Sequence, residues 1–512
     1  MFGIKKTIKT LTKKISNRLP SKVQAPSPLA IYASGVLGQN SSFATRISNY
    51  PSGAGSARGM FHPGSAALDT VYHRLFVSDI DNHRVLVFQL DDNNSIVSDI
   101  AINVLGKPDL TTVSAMATPY TISNIGGMVF NLCLDEVNQR LFVAQGFANP
   151  LGGRITCYDV HPSRITNGAN ALFILGQPDF DSHVMACTRS GCVSPDDMDY
   201  DPINERVFVS DEMNYRVLCY SVPANAGSEI NGSDALFVLG QADFTSKVDV
   251  CNQSGLGMRP TGIAYDPVNE RLFVGDLDNN RMMCFKVPSN AGTEINGENA
   301  LFVIGQPNFT TKTTGRARNR TNGVDDCTYD PVSNILMFSD SGNTRVLVFY
   351  VPDNAGIEFN GSNAMFVVGQ PDFTSLITGC GQNCFGGGGV YGIECPHTYD
   401  PVNSLFYSYD YYNNRVALFY FIKITTAALT DGMVGKPYSQ KINFVNQQGV
   451  QQVFKIAKGP LPDGLVLDAN TGIISGVPTV SGSFAFTLEV DDIFAGAGMM
   501  FHRKTYSVNV VD

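Results

Sequence analysis

The chain has 512 residues and a formal net charge of −10 at pH 7, with 43% hydrophobic and only 16% charged residues. This length exceeds one ordinary core, the composition excludes a disordered chain, and no apolar run approaches the roughly 18–20 residues of a membrane-spanning helix. The 49 Gly and 26 Pro, together with 32 Phe and 20 Tyr, favour an all-β protein with many turns.

Residues 1–25 form a basic amphipathic segment. Its first 22 residues contain seven cations and no acid: Lys5, Lys6, Lys9, Lys13, Lys14, Arg18 and Lys22. Its apolar residues share one side of a predicted helix, so residues 2–19 could contact an anionic membrane surface, the alternative being a solvated leader. The segment lacks the apolar run and cleavage site of a secretory signal.

The remainder of the chain is strongly acidic. Removing the seven cations from the 36 Lys and Arg leaves 29 against 46 Asp and Glu, a net charge of −17. Because such a charge repels a phosphate backbone, nucleic acid is not the expected partner.

A repeated frame occupies most of the chain. In one copy Asp266 is followed by Asp276, Asn279 and Arg281. Complete copies also begin at Asp69, Asp201, Asp330 and Asp400, and a degenerate copy begins at Asp135. These first aspartates are 64–70 residues apart. The spacing predicts six successive units of one design, numbered here 1 to 6 in chain order.

Each unit predicts four strands, which in unit 4 cover residues 261–265, 272–274, 282–287 and 300–305. Their inner runs are apolar without strict alternation, as expected when neighbouring sheets cover both faces. The fourth strand ends in variants of Gly-Gln-Pro-Asp-Phe, of which an extra copy, at Val36 to Gln39, precedes unit 1 and none follows unit 6. We therefore predict a six-bladed β-propeller whose last blade is completed by residues 31–38, leaving no unpaired edge.

The runs Leu75-Phe-Val-Ser-Asp79 and Asn82-His-Arg84-Val-Leu-Val-Phe88 resemble the NHL repeat. Five of the six copies keep its Asp-x-x-Asn-x-Arg core, and the resemblance covers residues 31–421. It implies a six-bladed propeller. Some animal proteins with this repeat bind RNA, which is an alternative function here.

The repeated Asp and Arg are interpreted as scaffold, because six equivalent positions cannot form one active site. An Asp that ends one strand and an Arg that begins the next can pair across the turn. Function is expected where the units differ, on one face that carries the connections 181–195, 245–260, 310–324 and 374–395 and the lengthened turn 146–153.

One of these connections is basic. It contains Lys312, Arg316, Arg318 and Arg320, which could bind a carboxylate, a phosphate or an acidic glycan. The alternative is a group of solvated charges.

A second candidate site is acidic and lies where first strands begin, near the ring axis. Its members are Asp196, Asp197, Asp325, Asp326 and Glu394. Their oxygens could hold Ca²⁺ or Mg²⁺, or they could cap strand entrances without metal. Only His62 and His397 lie near first strands, which is not a three-histidine zinc site.

The cysteines fall into two groups. Cys157, Cys219 and Cys284 occupy positions that are Val or Leu in other units and are predicted to be buried. In an oxidising compartment the pairs Cys187/Cys192 and Cys380/Cys384 could instead staple their loops.

Residues 426–512 form a second domain. Turn residues at Pro462-Asp-Gly464 and Asn470-Thr-Gly472 separate alternating strands, and the length suits a β-sandwich. The stretch Leu461 to Pro478 resembles a bacterial Ig-like module related to cadherin domains. Such modules are commonly extracellular spacers or adhesive elements.

The sequence thus predicts a non-enzymatic binding or adhesion scaffold, located outside the cell or at its surface, which presents long propeller loops to a protein or glycan ligand. The alternative is a metal-dependent lyase or hydrolase with the acidic residues above as ligands of an axial divalent ion.

Overall fold

The computed structural model describes residues 33–51, 53–113, 121–146, 152–379, 385, 397–401, 403–445, 451–493 and 499–512. Several predictions made from the sequence lie outside the described residues. They concern the basic segment 1–25, Glu394, Cys380 and Cys384. Among the described residues no helix is long and apolar enough to cross a membrane.

The protein is all-β, as predicted, and begins with a six-bladed propeller of four-stranded antiparallel sheets. The first three sheets are β2 (Pro63–Asp69), β3 (Arg74–Asp79), β4 (Arg84–Gln89) and β5 (Asn103–Leu105); β6 (Met128–Asp135), β7 (Arg140–Gly146), β8 (Arg154–Asp159) and β9 (Phe173–Leu175); and β10 (Pro195–Asp201), β11 (Arg206–Asp211), β12 (Arg216–Ser221) and β13 (Phe237–Leu239).

The fourth and fifth sheets follow the same order along the chain. They are β14 (Pro260–Asp266), β15 (Arg271–Asp276), β16 (Arg281–Lys286) and β17 (Phe302–Ile304); and β18 (Val324–Asp330), β19 (Ile335–Asp340), β20 (Arg345–Tyr350) and β21 (Phe366–Val368). The second strand of each of these sheets is buried along its whole length, because neighbouring sheets cover both of its faces.

The sixth sheet combines the two ends of the propeller sequence. It contains β22 (His397–Asp400), β23 (Leu405–Asp410), β24 (Arg415–Tyr420) and, as its outermost strand, β1 (Ala33–Leu37). In the antiparallel pairing of β1 with β24, Val36 lies opposite Ala417 and Leu37 opposite Val416. The innermost strands contact one another in the order β2, β6, β10, β14, β18, β22 and back to β2, so the ring is closed.

The connections leave the sheets at two opposite ends. In five blades the turn between the second and third strands contains a 3-10 segment: Ile80–Asn82, Glu212–Asn214, Leu277–Asn279, Ser341–Asn343 and Tyr411–Asn413. Three of the connections between third and fourth strands, which leave from the opposite end, contain Ser228–Ile230, Thr293–Ile295 and Ile357–Phe359. The face that carries the first set is called the turn face below.

A β-sandwich follows the ring. Its strands are β25 (Lys423–Ile424), β26 (Gly432–Met433), β27 (Tyr438–Lys441), β28 (Phe444–Val445), β29 (Gln451–Lys458), β30 (Leu465–Leu467), β31 (Ile473–Gly476), β32 (Gly482–Ile493) and β33 (Met499–Val511). Four of them form the sheet β26-β33-β32-β29, three form β27-β31-β30, and β25 pairs with β28. Phe454, Ile474, Phe486, Leu488 and Tyr506 are buried in one core.

Candidate functional site

Buried arginines anchor the loops of the turn face. In blade 1, Arg84 Nε donates to Asp79 Oδ2 at 2.6 Å across the turn between β3 and β4, and both side chains are fully buried. The predicted pairing of the repeated Asp and Arg is therefore confirmed. The other N–H groups of Arg84 donate to the backbone oxygens of Ser56, Gly59 and Leu110. One guanidinium thus holds the loop before the first strand and the loop after the fourth.

The same arrangement recurs around the ring. Arg216 pairs with Asp211 and donates to the carbonyls of Thr188, Gly191 and Phe244. Burial raises the pKa of the equivalent carboxyls Asp79, Asp276 and Asp340, in opposition to the arginine beside each of them. Because desolvation offsets much of the attraction in a buried pair, these contacts determine loop geometry more than they add net stability.

A glutamine after the fourth strand fixes the same loops. Gln306 Nε2 donates to the carbonyls of Asn280 and Thr313, and its Oε1 accepts from the Thr313 N–H. Gln177, Gln241 and Gln370 make corresponding contacts. The loops of the turn face are therefore held in defined positions by buried side chains.

A cavity of about 390 Å³ opens on the ring axis at the turn face, and we call it the upper axial cavity. Six carboxylates and one guanidinium are among the described residues that line it: Asp196, Asp197, Glu212, Asp278, Asp325, Asp326 and Arg259. Four residues predicted as an acidic site are thus brought together here. Ile80, Phe130 and Leu277 supply apolar wall.

A second cavity, of about 230 Å³, continues along the axis between the innermost strands and is called the lower axial cavity. Asp197 and Asp326 line both cavities, so they lie where the two meet. Asp197 is only 5% exposed and Asp326 only 8%, whereas Asp196 and Asp325 are partly buried. We call Asp197 and Asp326 the axial aspartates.

The axial aspartates influence each other electrostatically. Burial raises the pKa of Asp326 well above its ordinary value, and the negative charge of Asp197 raises it further. Burial likewise raises the pKa of Asp197, to which the charges of Asp199 and Asp325 contribute. A positive group between them would relieve this repulsion.

Asp197 also joins two blades. Its Oδ2 accepts the N–H of Ile263 on β14 at 2.6 Å, and its Oδ1 accepts the N–H of Met198 at 2.7 Å. Asp199 accepts the N–H of Tyr265 on the same strand, and burial raises its pKa to about 7. The bonds to Ile263 and Tyr265 join neighbouring innermost strands within β14 rather than at its entrance, so capping of strand entrances by these carboxylates stays a prediction.

Among the described residues, no group of three or more His, Cys, Asp or Glu side chains is arranged to hold a metal ion. His62 Nδ1 forms a hydrogen bond with Asp81 Oδ2 at 2.7 Å, and the imidazole ring stacks on Tyr411. Asp196, Asp197, Asp325 and Asp326 line one cavity. An ion site that also uses Glu394 stays a prediction, since Glu394 is outside the described residues.

Three charged side chains of the upper axial cavity are not among the residues predicted from the sequence. Arg259 forms a bidentate pair with Asp278, Nε to Oδ2 at 3.0 Å and Nη2 to Oδ1 at 2.5 Å. Glu212 accepts from Ser194 Oγ, and burial raises its pKa. Glu212 and Asp278 both lie in the turn segments after the second repeated Asp, which is the one signal that could have identified them.

The four cations of the basic connection, residues 310–324, do not share one environment. Arg318 donates to the carbonyls of Ala364 and Met365 and lies over the ring of Phe373, and burial lowers its pKa. Arg320 donates to Gln306 Oε1 at 3.3 Å, Arg316 donates to Asn343 Oδ1 at 3.2 Å, and Lys312 is exposed. An anion site formed by all four stays a prediction.

Arg318 has counterparts in other blades. Arg189 donates to the carbonyl of Ala235, and Gln253 donates to that of Ala300, before the respective fourth strands. The side chain at this position therefore attaches the loop before the first strand to the segment that precedes the fourth, outermost strand of the same blade.

The structure shows no bond between the cysteines of the first loop pair. Cys187 and Cys192 are both unpaired thiols; Cys192 is fully buried, whereas Cys187 is partly exposed beside the carbonyls of Phe244, Thr245 and Ser246. A staple between these two residues is therefore not formed, because Cys192 faces the core. Cys157, Cys219 and Cys284 are fully buried, as predicted.

Comparison with solved structures finds proteins of low identity. A structural genomics protein of unknown function from Bacteroides thetaiotaomicron shares 11% identity, with a TM-score of 0.44, over 75% of this chain and 75% of that one. A putative 6-phosphogluconolactonase from Bacteroides uniformis shares 12%, with a TM-score of 0.36, over 58% and 68%. A chain of a nidogen/laminin complex shares 11%, with a TM-score of 0.34, over 60% and 79%.

No curated protein matches the chain. One family model does match part of it, and its description is "Putative Ig domain". The match covers residues 421–510, so the carboxy-terminal β-sandwich is an Ig-like domain.

Proposed function

We propose that the protein is a non-enzymatic binding scaffold of the NHL-repeat type, which receives a protein or glycan ligand at the upper axial cavity. In this proposal the Ig-like domain holds the ring away from a surface, outside the cell. The Asp-x-x-Asn-x-Arg core supports the repeat assignment, since Asn82 donates to Asp79, which in turn accepts from Arg84.

The observation that carries the proposal is the way the cavity is built. Residues of several blades meet in it: Ile80 from blade 1, Glu212 from blade 3, Leu277 from blade 4 and Ser341 from blade 5. Buried Arg84, Arg216, Arg281 and Arg345 anchor the loops beside these turns. A concave site on loops that are already ordered binds with a small loss of conformational entropy.

The second candidate is a metal-dependent lyase or hydrolase. It is favoured by the convergence of Asp196, Asp197, Asp325 and Asp326 in one cavity. Elemental analysis of the purified full chain tests it. A stoichiometric Ca²⁺ or Mg²⁺ that is lost in Asp326→Ala would favour the enzyme, and a metal-free protein would remove it.

The binding proposal is tested with a panel of lysine-containing, arginine-containing and acidic peptides and of neutral and acidic glycans. Binding is measured by biolayer interferometry on the full chain. The site variant is Asp196→Asn with Asp325→Asn, at two partly buried positions of the cavity. The control is Glu298→Gln, an exposed carboxylate in a connection that leaves the opposite end of blade 4.

We expect at least one member of the panel to bind, and the site variant but not the control to weaken it about tenfold or more. Equal effects of the two variants, turnover of a bound probe, or failure of the whole panel to bind below about 1 mM would each contradict the proposal.

A further inference from the structure

Four of the described innermost strands place an oxygen-bearing side chain at the same position of the repeat. Ser65 on β2, Asn131 on β6, Asp197 on β10 and Asp326 on β18 each lie four residues before the first Asp of their unit, and all four line the lower axial cavity. Ser65 Oγ accepts the N–H of Leu132 at 3.0 Å. The amide of Asn131 and the two axial aspartates therefore add three further hydrogen-bond acceptors at one level of the axis.

The side-chain oxygen of Asn131 lacks a hydrogen-bond donor among the described residues. The side chain is only 5% exposed, and this Oδ1 is buried. A buried carbonyl oxygen without a donor is costly, and an amide oxygen accepts hydrogen bonds but donates none. The cavity therefore favours a group that brings hydrogen-bond donors.

The acidic lining adds a requirement for positive charge. Arg259 is the cation among the described residues that line the upper cavity, and it forms a bidentate pair with Asp278. The largest effects of charge on the pKa of the axial aspartates come from carboxylates: Asp199 and Asp325 act on Asp197, and Asp197, Asp325 and Asp196 act on Asp326. The buried thiols Cys133 and Cys327 lie close to the same carboxylates.

The geometry suits an ammonium group better than a bare metal ion. A divalent ion needs several oxygens at about 2.0–2.6 Å, and both oxygens of Asp197 already accept backbone N–H groups. An N⁺–H donor bonds a carboxylate at about 2.7–2.9 Å, and a primary ammonium has three such donors. Above this level, Ile80, Phe130 and Leu277 offer apolar contact to a methylene chain.

We propose that the axial cavities bind a primary ammonium group on an unbranched aliphatic stem, with the ammonium between Asn131, Asp197 and Asp326 and the stem along the apolar wall. This inference rests on the proposed binding function and specifies its ligand. The group is either a lysine side chain of a protein partner or a small free alkylamine.

Isothermal titration calorimetry of the full chain at pH 7.5 tests the proposal. The probes are n-pentylamine and Nα-acetyl-lysine amide, with 1-pentanol and pentanoate as neutral and anionic controls of similar length. The variants are Asp326→Asn and Asn131→Leu, each of similar volume to the residue replaced, with Glu298→Gln as the surface control.

We expect 1:1 binding of n-pentylamine, weakened about tenfold or more in Asp326→Asn and in Asn131→Leu and unchanged in Glu298→Gln. Because burial raises the pKa of the axial aspartates and a neighbouring ammonium group lowers it, any proton that they carry in the unliganded protein should be released on binding, seen as heats that differ between buffers of different ionisation enthalpy. Comparable affinity for Nα-acetyl-lysine amide identifies a partner's lysine as the source, and binding of n-pentylamine alone identifies a free amine.

The inference is overturned if neither amine binds, if 1-pentanol binds as well as n-pentylamine, or if both axial variants bind as the wild type does. Stoichiometric Ca²⁺ that excludes the amine would also overturn it. If Asp326→Asn does not fold, Asn131→Leu decides the question. If only the ammonium inference is wrong, another class of probe still binds, and the double variant Asp196→Asn with Asp325→Asn weakens that binding. If every probe fails to bind, the binding function itself is contradicted.

Discussion

Arg345 donates from Nε to Oδ2 of Asp340 at 2.6 Å, at the point where β19 ends and β20 begins, and both side chains are completely buried. The same guanidinium donates to the carbonyls of Arg320 and Phe373, which lie in the loops before the first and after the fourth strand of blade 5. A repeated sequence feature that looks like a simple charge pair is therefore also the attachment of the turn-face loops.

This relationship predicts a large effect of Arg345→Ala. Removal of the guanidinium leaves Asp340 buried without its cation and four loop carbonyls without this donor, so the free energy of unfolding should fall by about 3–5 kcal/mol. Urea denaturation measures it. The control Arg316→Ala, at an exposed arginine nearby, should change it by less than about 0.5 kcal/mol. Similar losses in the two variants would refute the anchoring role.

Leu37→Ala tests how the ring is completed. Leu37 is fully buried in β1 and packs with Tyr409, Val416 and Leu418 of the sixth sheet. Its truncation should cost about 2–5 kcal/mol of unfolding free energy, measured by chemical denaturation. Ile47→Ala, at a side chain 44% exposed, is the control and should be nearly silent. A silent Leu37→Ala would mean that β1 does not complete the sheet in solution.

Asp326→Asn should make stability depend less on pH. The pKa of Asp326 is raised above its ordinary value near 3.8, so the folded state holds this proton more tightly than the unfolded state. Its contribution to stability is present below about pH 3.8 and is lost as the pH rises through the folded-state pKa. The free energy of unfolding of the neutral variant should therefore equal that of the wild type near pH 4 and exceed it by about 1–2 kcal/mol at pH 7.5.

Thermal and urea unfolding between pH 4 and 8 measure that difference. Glu298→Gln is the control, and its difference from the wild type should stay near zero across the range. An Asp326→Asn variant that is less stable than the wild type at pH 7.5 would show that the carboxylate contributes favourably, contrary to the account.

The repeats made the propeller predictable because regular structure follows the period of the sequence. The predicted strand 261–265 is observed as Pro260–Asp266, and the offset copy at Val36 to Gln39 corresponds to the pairing of β1 with β24. The place of Asp196, Asp197, Asp325 and Asp326 near the axis was predictable from their position alone, because first strands are innermost in a blade.

Contacts between distant loops were not predictable. Arg84 and the carbonyl of Leu110 are 26 residues apart in sequence, and Leu110 lies in an irregular loop after β5 whose direction no sequence period indicates. Lys312, Arg316, Arg318 and Arg320 are close in sequence but point to different neighbours for the same reason. The role of Asn131 was not predictable because the position that it shares with Asp197 matters only once the innermost strands form a ring.

The most direct test of the account is the free energy of unfolding of the wild type and of Asp326→Asn at pH 7.5, each with and without n-pentylamine. The account holds that the axial aspartates are retained for binding at the expense of stability. It predicts that the variant is the more stable protein without amine, and that at ten times the wild-type Kd the amine stabilises the wild type by about 1.4 kcal/mol and the variant by much less. Equal stabilisation of both proteins by the amine would contradict it.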